Sequence, residues 1–95
     1  MKSYKLAYTK TVAKEIQKLD GSVKKMLLAG LSRIEQDPEI GKPLTKELKG
    51  LRSYRVSSYR IVYKIENHQL LIIIVALGHR KNIYDRIKQA LLANV

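Results

Sequence analysis

Eight consecutive apolar residues, Leu70 to Leu77, constrain this chain more than any other feature. The run is rich in β-branched residues, too short for a helix of its own, and bare of the polar alternation that a half-exposed strand would show. It reads as a central strand covered on both faces. It is also far short of the roughly 20 apolar residues a membrane-spanning helix requires. The rest of the chain must therefore supply neighbouring strands and covering layers within 95 residues, which makes one domain spanning residues 1–95.

The elements around this strand follow from periodicity. Tyr4, Leu6 and Tyr8 alternate with polar or small residues and read as a first strand with one buried face. Thr9 or Thr11 can cap a helix carrying Val12, Ala13, Ile16 and Leu19 on one side. Asp20-Gly21 breaks that helix. Ser22 is expected to cap the next, in which Val23, Leu27, Leu31 and Ile34 recur at three- and four-residue spacing until Asp37-Pro38. Gly41 to Gly50 is a basic loop anchored by Leu44 and Leu48. The period then changes to two: Tyr54 and Val56 flank Arg55, Ser57-Ser58 makes a tight turn, and Tyr59 to Ile65 returns as a strand. Glu66-Asn67-His68-Gln69 is a polar loop before the apolar run, which Gly78 should end. Ile83, Ile87, Ala90 and Leu91 mark a C-terminal amphipathic helix. The order β-α-α-β-β-β-α predicts a two-layer α+β fold. An αα-hairpin should pack on an antiparallel four-stranded sheet, with the helices on one face and the first strand at an edge.

Charge narrows the function. The net charge is +11, with 19 Lys and Arg against 8 Asp and Glu. Residues 41–65 carry Lys42, Lys46, Lys49, Arg52, Arg55, Arg60 and Lys64 against the single acid Glu47. Residues 78–88 add Arg80, Lys81, Arg86 and Lys88 against Asp85. The first forty residues are nearly balanced. Basic charge concentrated in two segments is the footprint of a phosphate-binding face. There is no cysteine, which removes disulfides, thiolate nucleophiles and cysteine-based zinc sites together. The N-terminus has no apolar signal-peptide core, so the expectation is a cytoplasmic protein without a membrane partner.

The two arginine-rich segments carry a resemblance. Leu48-Lys49-Gly50-Leu51-Arg52-Ser53-Tyr54-Arg55-Val56, followed by Ser57-Ser58-Tyr59-Arg60-Ile61-Val62-Tyr63, resembles the hairpin of the RelE/ParE superfamily of toxins from toxin–antitoxin pairs. Gly78-His79-Arg80-Lys81-Asn82-Ile83-Tyr84 resembles that family's closing motif. The family's RelE branch cleaves mRNA in the ribosomal A site, against 16S rRNA, and its ParE branch poisons DNA gyrase. The positions matching the RNase residues are kept as Arg60, Arg80 and Tyr84, so the resemblance implies an mRNA endonuclease. It also implies a cognate acidic antitoxin as partner, with operator DNA bound only through that antitoxin. Where RelE-type enzymes carry a lysine pair in the second strand, this chain offers Arg52 and Arg55.

The residues allow a metal-free, cofactor-free reaction. Attack of a ribose 2′-oxygen on the adjacent phosphorus needs a base, cations on the phosphoryl oxygens and an acid for the leaving oxygen. No carboxylate cluster suited to Mg²⁺ is visible. Tyr84 is the best base; a phenol has a reference pKa of about 10, and neighbouring cations such as Arg60, Arg80 and Lys81 favour a phenolate. Arg60 and Arg80 suit a phosphate clamp, since guanidinium matches phosphoryl geometry bidentately. Lys49, Arg52, Arg55 and Lys81 are expected to bind RNA phosphates. The resemblance assigns the acid to Arg80; on chemical grounds His79 could take that part, and Glu47 is a rival base unless it pairs with a lysine. Tyr59 and Tyr63 read as core-facing or half-buried, and His68 as a solvated turn residue. Met26 and Leu28 lie beside the main stripe of the second helix and could meet an antitoxin. Two other readings stay open: a gyrase-directed toxin and a catalytically inactive nucleic-acid-binding corepressor.

Overall fold

The computed structural model describes residues 3–79 and 82–93, the last four by their backbone alone. Strand β1 (Lys5–Tyr8) leads into α1 (Lys10–Lys18) and α2 (Gly21–Gln36). Both helices start on side-chain caps. Thr9 Oγ1 accepts from the Val12 N–H at 3.2 Å, which satisfies one of the donors a helix N-terminus leaves orphaned. At α2 the cap is Asp20, not Ser22: Asp20 Oδ1 accepts from the Ser22 N–H at 3.1 Å. The carboxylate precedes the first helical turn, where an acceptor and a negative charge both meet the helix dipole favourably.

Strands β2 (Lys42–Pro43), β3 (Arg52–Val56), β4 (Tyr59–Glu66) and β5 (Leu71–His79) follow, and α3 (Ile83–Ala93) closes the described chain. The α+β order and the helical hairpin are those the periodicity predicts. The sheet has five strands in the order β1-β5-β4-β3-β2, one more than expected. The extra strand is short because Pro43 has no N–H to continue a ladder. The first strand lies at an edge, as anticipated, but pairs with β5 in parallel, Leu6 opposite Ile72. The expected Ser57-Ser58 turn joins β3 to β4, with Ser57 at φ 57° and Val56 paired with Tyr59. Strand β5 does not stop at Gly78; it runs to His79, Gly78 pairing with Arg60.

The sheet has two buried faces. On one, Val12 of α1 and Leu27, Leu31 and Ile34 of α2 pack against Ile61, Tyr63, Ile72, Ile74 and Leu77. Gly30 is needed there, since a Cβ at that position would come within 2.7 Å of a Val56 methyl. On the other face Val62 and Ala76 pack with Leu48, Ile83 and Ile87. The C-terminal helix therefore covers the face opposite the αα-hairpin, and the expectation of all helices on one side is corrected. The apolar run of β5 makes this possible because it supplies both faces at once. A register shift beside Val62/Tyr63 turns the strand locally, so that Ile74 and Leu77 serve the same face although their separation is odd.

Candidate active site

The side-chain period of a strand decides what can meet on the α3 face. Across the β3–β4 ladder Ser53 pairs with Val62 and Arg55 with Arg60. Val62 belongs to the α3-side core, so Ser53, Arg55 and Arg60 share that face. Helix α3 presents Tyr84 to the same surface. Its ring lies under the Arg60 guanidinium, whose central carbon is 5.8 Å from the ring centroid, within reach of a cation–π attraction. The Tyr84 O–H donates to Ser53 Oγ at 3.0 Å. Ser53 is buried, 4% exposed. Arg60 Nε is buried with no hydrogen-bond partner among the described residues. A buried guanidinium donor left unsatisfied is costly, and an anionic oxygen arriving beside Arg60 could satisfy it.

The remaining candidates divide by position. Arg52 pairs with Tyr63 and so faces the αα-hairpin. There its Nη1 donates to the carbonyls of Gly41 at 2.7 Å and Glu39 at 3.2 Å. It fastens the loop before β2 and does not join Arg60 as expected. Arg55 does, its Nε donating to Ser57 O at 3.1 Å while its side chain stays exposed. His79 pairs with Tyr59, one residue out of phase with Arg60, and stacks on that ring at 4.4 Å. It faces away from Tyr84, so the structure does not bring it to the cluster as a proton donor. Glu47 lies 4.0 Å from Lys88 Nζ on α3, the paired arrangement weighed against its role as a base. Lys49 is exposed just after a 3₁₀ turn at Lys46–Leu48. Arg80 and Lys81 lie outside the described residues.

Ser53 is the site residue that sequence reasoning missed. Its signal was available: two strand residues separated by an odd number face opposite ways, so Arg52 and Arg55 could not both accompany Arg60, and Ser53 must lie with Arg55. Tyr63 is buried in the core. Its hydroxyl donates to Pro38 O at 2.6 Å and accepts from the Gly41 N–H at 2.9 Å. Burial pushes its phenol above the ordinary tyrosine range, with the Gly41 N–H and Arg52 opposing. A separate concavity of about 480 Å³, lined among others by Tyr4, Pro38, Arg52 and Asn67, shares no residue with the Arg60–Tyr84 cluster. Among the described residues no group of three or more acidic or histidine side chains is placed to hold a metal ion. No helix there is long and apolar enough to cross a membrane.

Residues 6–84 match the family model for the ParE toxin of the type II toxin–antitoxin system parDE. The chain belongs to the RelE/ParE superfamily of toxins. Among curated relatives, Toxin RelG of Mycobacterium tuberculosis is 32% identical over 87 residues, covering 87% of this chain and 98% of that protein. Toxin RelE of the same organism is 29% identical, covering 85% and 86% respectively. The toxin–antitoxin complex RelBE2 of M. tuberculosis contains a chain that superposes with a TM-score of 0.74 at 28% identity, covering 82% of this chain and 99% of that one. A free, arginine-substituted form of the toxin RelE of Escherichia coli shares the fold, at a TM-score of 0.76 and 18% identity over 98% of both chains. This is a toxin of a toxin–antitoxin system with the RelE fold.

Proposed function

We propose that this toxin is a ribosome-dependent mRNA endonuclease that cuts in the A site without a metal ion. The observation that carries the reading is the Arg60–Tyr84 pair: a guanidinium over a phenol ring, its buried Nε without a partner among the described residues, on the face that also bears Arg55. In the reaction, Tyr84 Oη, having first released its proton to solvent, takes the proton of the ribose 2′-hydroxyl. The 2′-oxygen bonds to phosphorus, the bond to the 5′-oxygen breaks, and a 2′,3′-cyclic phosphate and a 5′-hydroxyl result. Arg60 neutralises charge on the phosphoryl oxygens. The leaving 5′-oxygen takes a proton, in this reading from Arg80. A site this sparse gains from a host that presents RNA near its attack geometry, which is the part assigned to the ribosome and its 16S rRNA.

The test is controlled expression of the toxin followed by mapping of RNA 5′ ends. Cuts within translated codons and arrested protein synthesis are expected. Intact mRNA with accumulating DNA breaks would overturn the reading in favour of a gyrase poison, the alternative that the ParE family match keeps in view. The partner follows from the same electrostatics. A toxin of charge +11 fits an acidic antitoxin in the cytoplasm, and solved relatives are toxin–antitoxin complexes.

A further inference from the structure

We infer that Ser53 is a positioning residue for Tyr84: its hydroxyl holds the phenolic oxygen in place on the Arg60 face. This rests on the RNase reading above and adds to it a residue of β3 that the sequence motifs leave unassigned. Three observations carry it. Among the described residues Ser53 and the core Tyr63 are the buried side chains that carry a hydroxyl, Ser53 at 4% exposure. Burial of a hydroxyl costs free energy unless it is hydrogen-bonded, and the partner of Ser53 Oγ is the Tyr84 O–H at 3.0 Å. The bond joins residues 31 apart in sequence, across the junction of sheet and C-terminal helix.

The placement is specific. Ser53 pairs with Val62, a fully buried residue of the α3-side core. Arg55, two residues on, pairs with Arg60. One strand register thus brings the hydroxyl to Tyr84 and sets both arginines on the same face. The ring is held at two points, by its oxygen at Ser53 and across its face by Arg60 at 5.8 Å. A serine hydroxyl is also the right chemistry for a group that changes protonation state. It carries one donor and two acceptor positions and can rotate. It accepts from the phenol, and after a turn of its own O–H it donates to the phenolate. A carboxylate there could only accept, and a lysine only donate. In this arrangement Ser53 transfers no proton and touches no RNA. It keeps the phenolic oxygen from swinging along the surface, where a misplacement of about 1 Å is enough to cost some 10²-fold in rate.

The experiment is a double-substitution cycle in single-turnover cleavage of a defined mRNA on programmed ribosomes. It uses wild type, Ser53→Ala, Ser53→Thr, Tyr84→Phe and Ser53→Ala/Tyr84→Phe, each with its thermal unfolding midpoint measured. The expected result is a roughly 10- to 100-fold loss of the maximal rate in Ser53→Ala, with half-saturation unchanged, on the order set by lost positioning. Ser53→Thr, which keeps the hydroxyl on a strand-compatible side chain, should recover most of the rate. In the Tyr84→Phe background Ser53→Ala should cost nothing more, because the oxygen it positions is gone. A packing role for Ser53 would instead carry its full cost into that background, and that outcome overturns the inference. So does a Ser53→Ala enzyme as fast as wild type. A Tyr84→Phe enzyme as fast as wild type also overturns it, since the oxygen Ser53 holds would then play no part in cleavage, while the RNase reading fails separately, if wild type leaves the mRNA whole.

Discussion

Arg55 and Arg60 stand directly opposite one another across the β3–β4 ladder, on the face that carries Tyr84. Like charges in directly opposed strand positions are destabilising, and a two-residue turn next to them leaves the register no freedom to separate them. The pair is therefore a local cost to the fold, offset in part where Arg55 Nε donates to Ser57 O. A bound phosphate between the strands would remove the conflict, which is the arrangement a nucleic-acid face requires.

Arg55→Thr should accordingly raise the thermal midpoint, by a stability gain on the order of 0.5 kcal/mol. It should also lower affinity for single-stranded RNA. The salt dependence of binding should flatten by about 0.7 in log–log slope, the change in counterion release expected when one phosphate is no longer neutralised. Calorimetry and a salt titration of binding check the two halves. A variant that is less stable and binds RNA at an unchanged slope would show that Arg55 is a structural residue.

Tyr63 gives a test of the fold that does not involve the site. Tyr63→Phe removes the acceptor of the Gly41 N–H and the donor to Pro38 O, leaving both backbone groups short of a partner. The cost should be about 1–3 kcal/mol, read as a lower midpoint in urea at unchanged slope. The pH dependence has a definite sign. Burial raises the folded-state pKa of Tyr63, and burial with the nearby Glu35 raises that of Tyr8. Both phenols therefore favour folding fully below the unfolded value of about 10, and stability falls as pH rises through and above it. Alkaline titration of the unfolding free energy should show this fall, shallower in Tyr63→Phe than in wild type.

Much of this architecture was legible, and the exceptions have physical causes. The 3.6-residue stripes of α1 and α2 name Val12, Leu27, Leu31 and Ile34 because each helix touches one layer, although Ala13, placed on the α1 stripe by its apolar character, is exposed. Ser57-Ser58 names its turn because alternation resumes on both sides. Strand β5 is different: a run apolar at every position carries no parity, so it could not reveal which residue faces which layer, the register shift beside Val62, or that α3 lies opposite the αα-hairpin. The parallel pairing of β1 was hidden for a related reason, since a four-residue strand reads alike in either direction. Arg60 and Tyr84 came from motif resemblance and are brought together by the structure. Ser53 did not: strand parity sets it on the face of Arg55, but only the fold brings the Tyr84 hydroxyl to it.

The junction between α1 and α3 offers a third test. Arg86 Nη2 donates to both Glu15 carboxylate oxygens at 3.2 Å, fastening the helix that bears Tyr84 to the opposite layer. Exposed ion pairs contribute little to global stability, typically under about 1 kcal/mol. The effect should therefore be local. Glu15→Gln is expected to leave the thermal midpoint within a degree or two while the α3 amides exchange several-fold faster, as measured by hydrogen exchange. Unchanged α3 protection would show that the Arg86–Glu15 pair does not hold the helix and that its other contacts, Ile83, Ile87 and Tyr84 among them, suffice.

The last prediction separates the charge of Arg60 from its shape. Arg60→Lys keeps the positive charge but loses the planar fork that spans the Tyr84 ring and can meet two phosphoryl oxygens together. If charge alone were needed, Arg60→Lys would cut mRNA nearly as fast as wild type. The Nε that lies buried without a partner among the described residues argues otherwise, because an ammonium has no donor at that point along the side chain. Arg60→Lys should bind RNA with a near-native salt slope yet lose cleavage, approaching the roughly 10²–10³-fold deficit expected when a transition-state donor is deleted. Tyr84→Phe should do the same with RNA affinity intact, since the ring face beneath Arg60 remains. Single-turnover rates beside equilibrium binding decide it. A lysine enzyme with native rate would assign Arg60 to electrostatic attraction of RNA and move phosphoryl stabilisation elsewhere on the face.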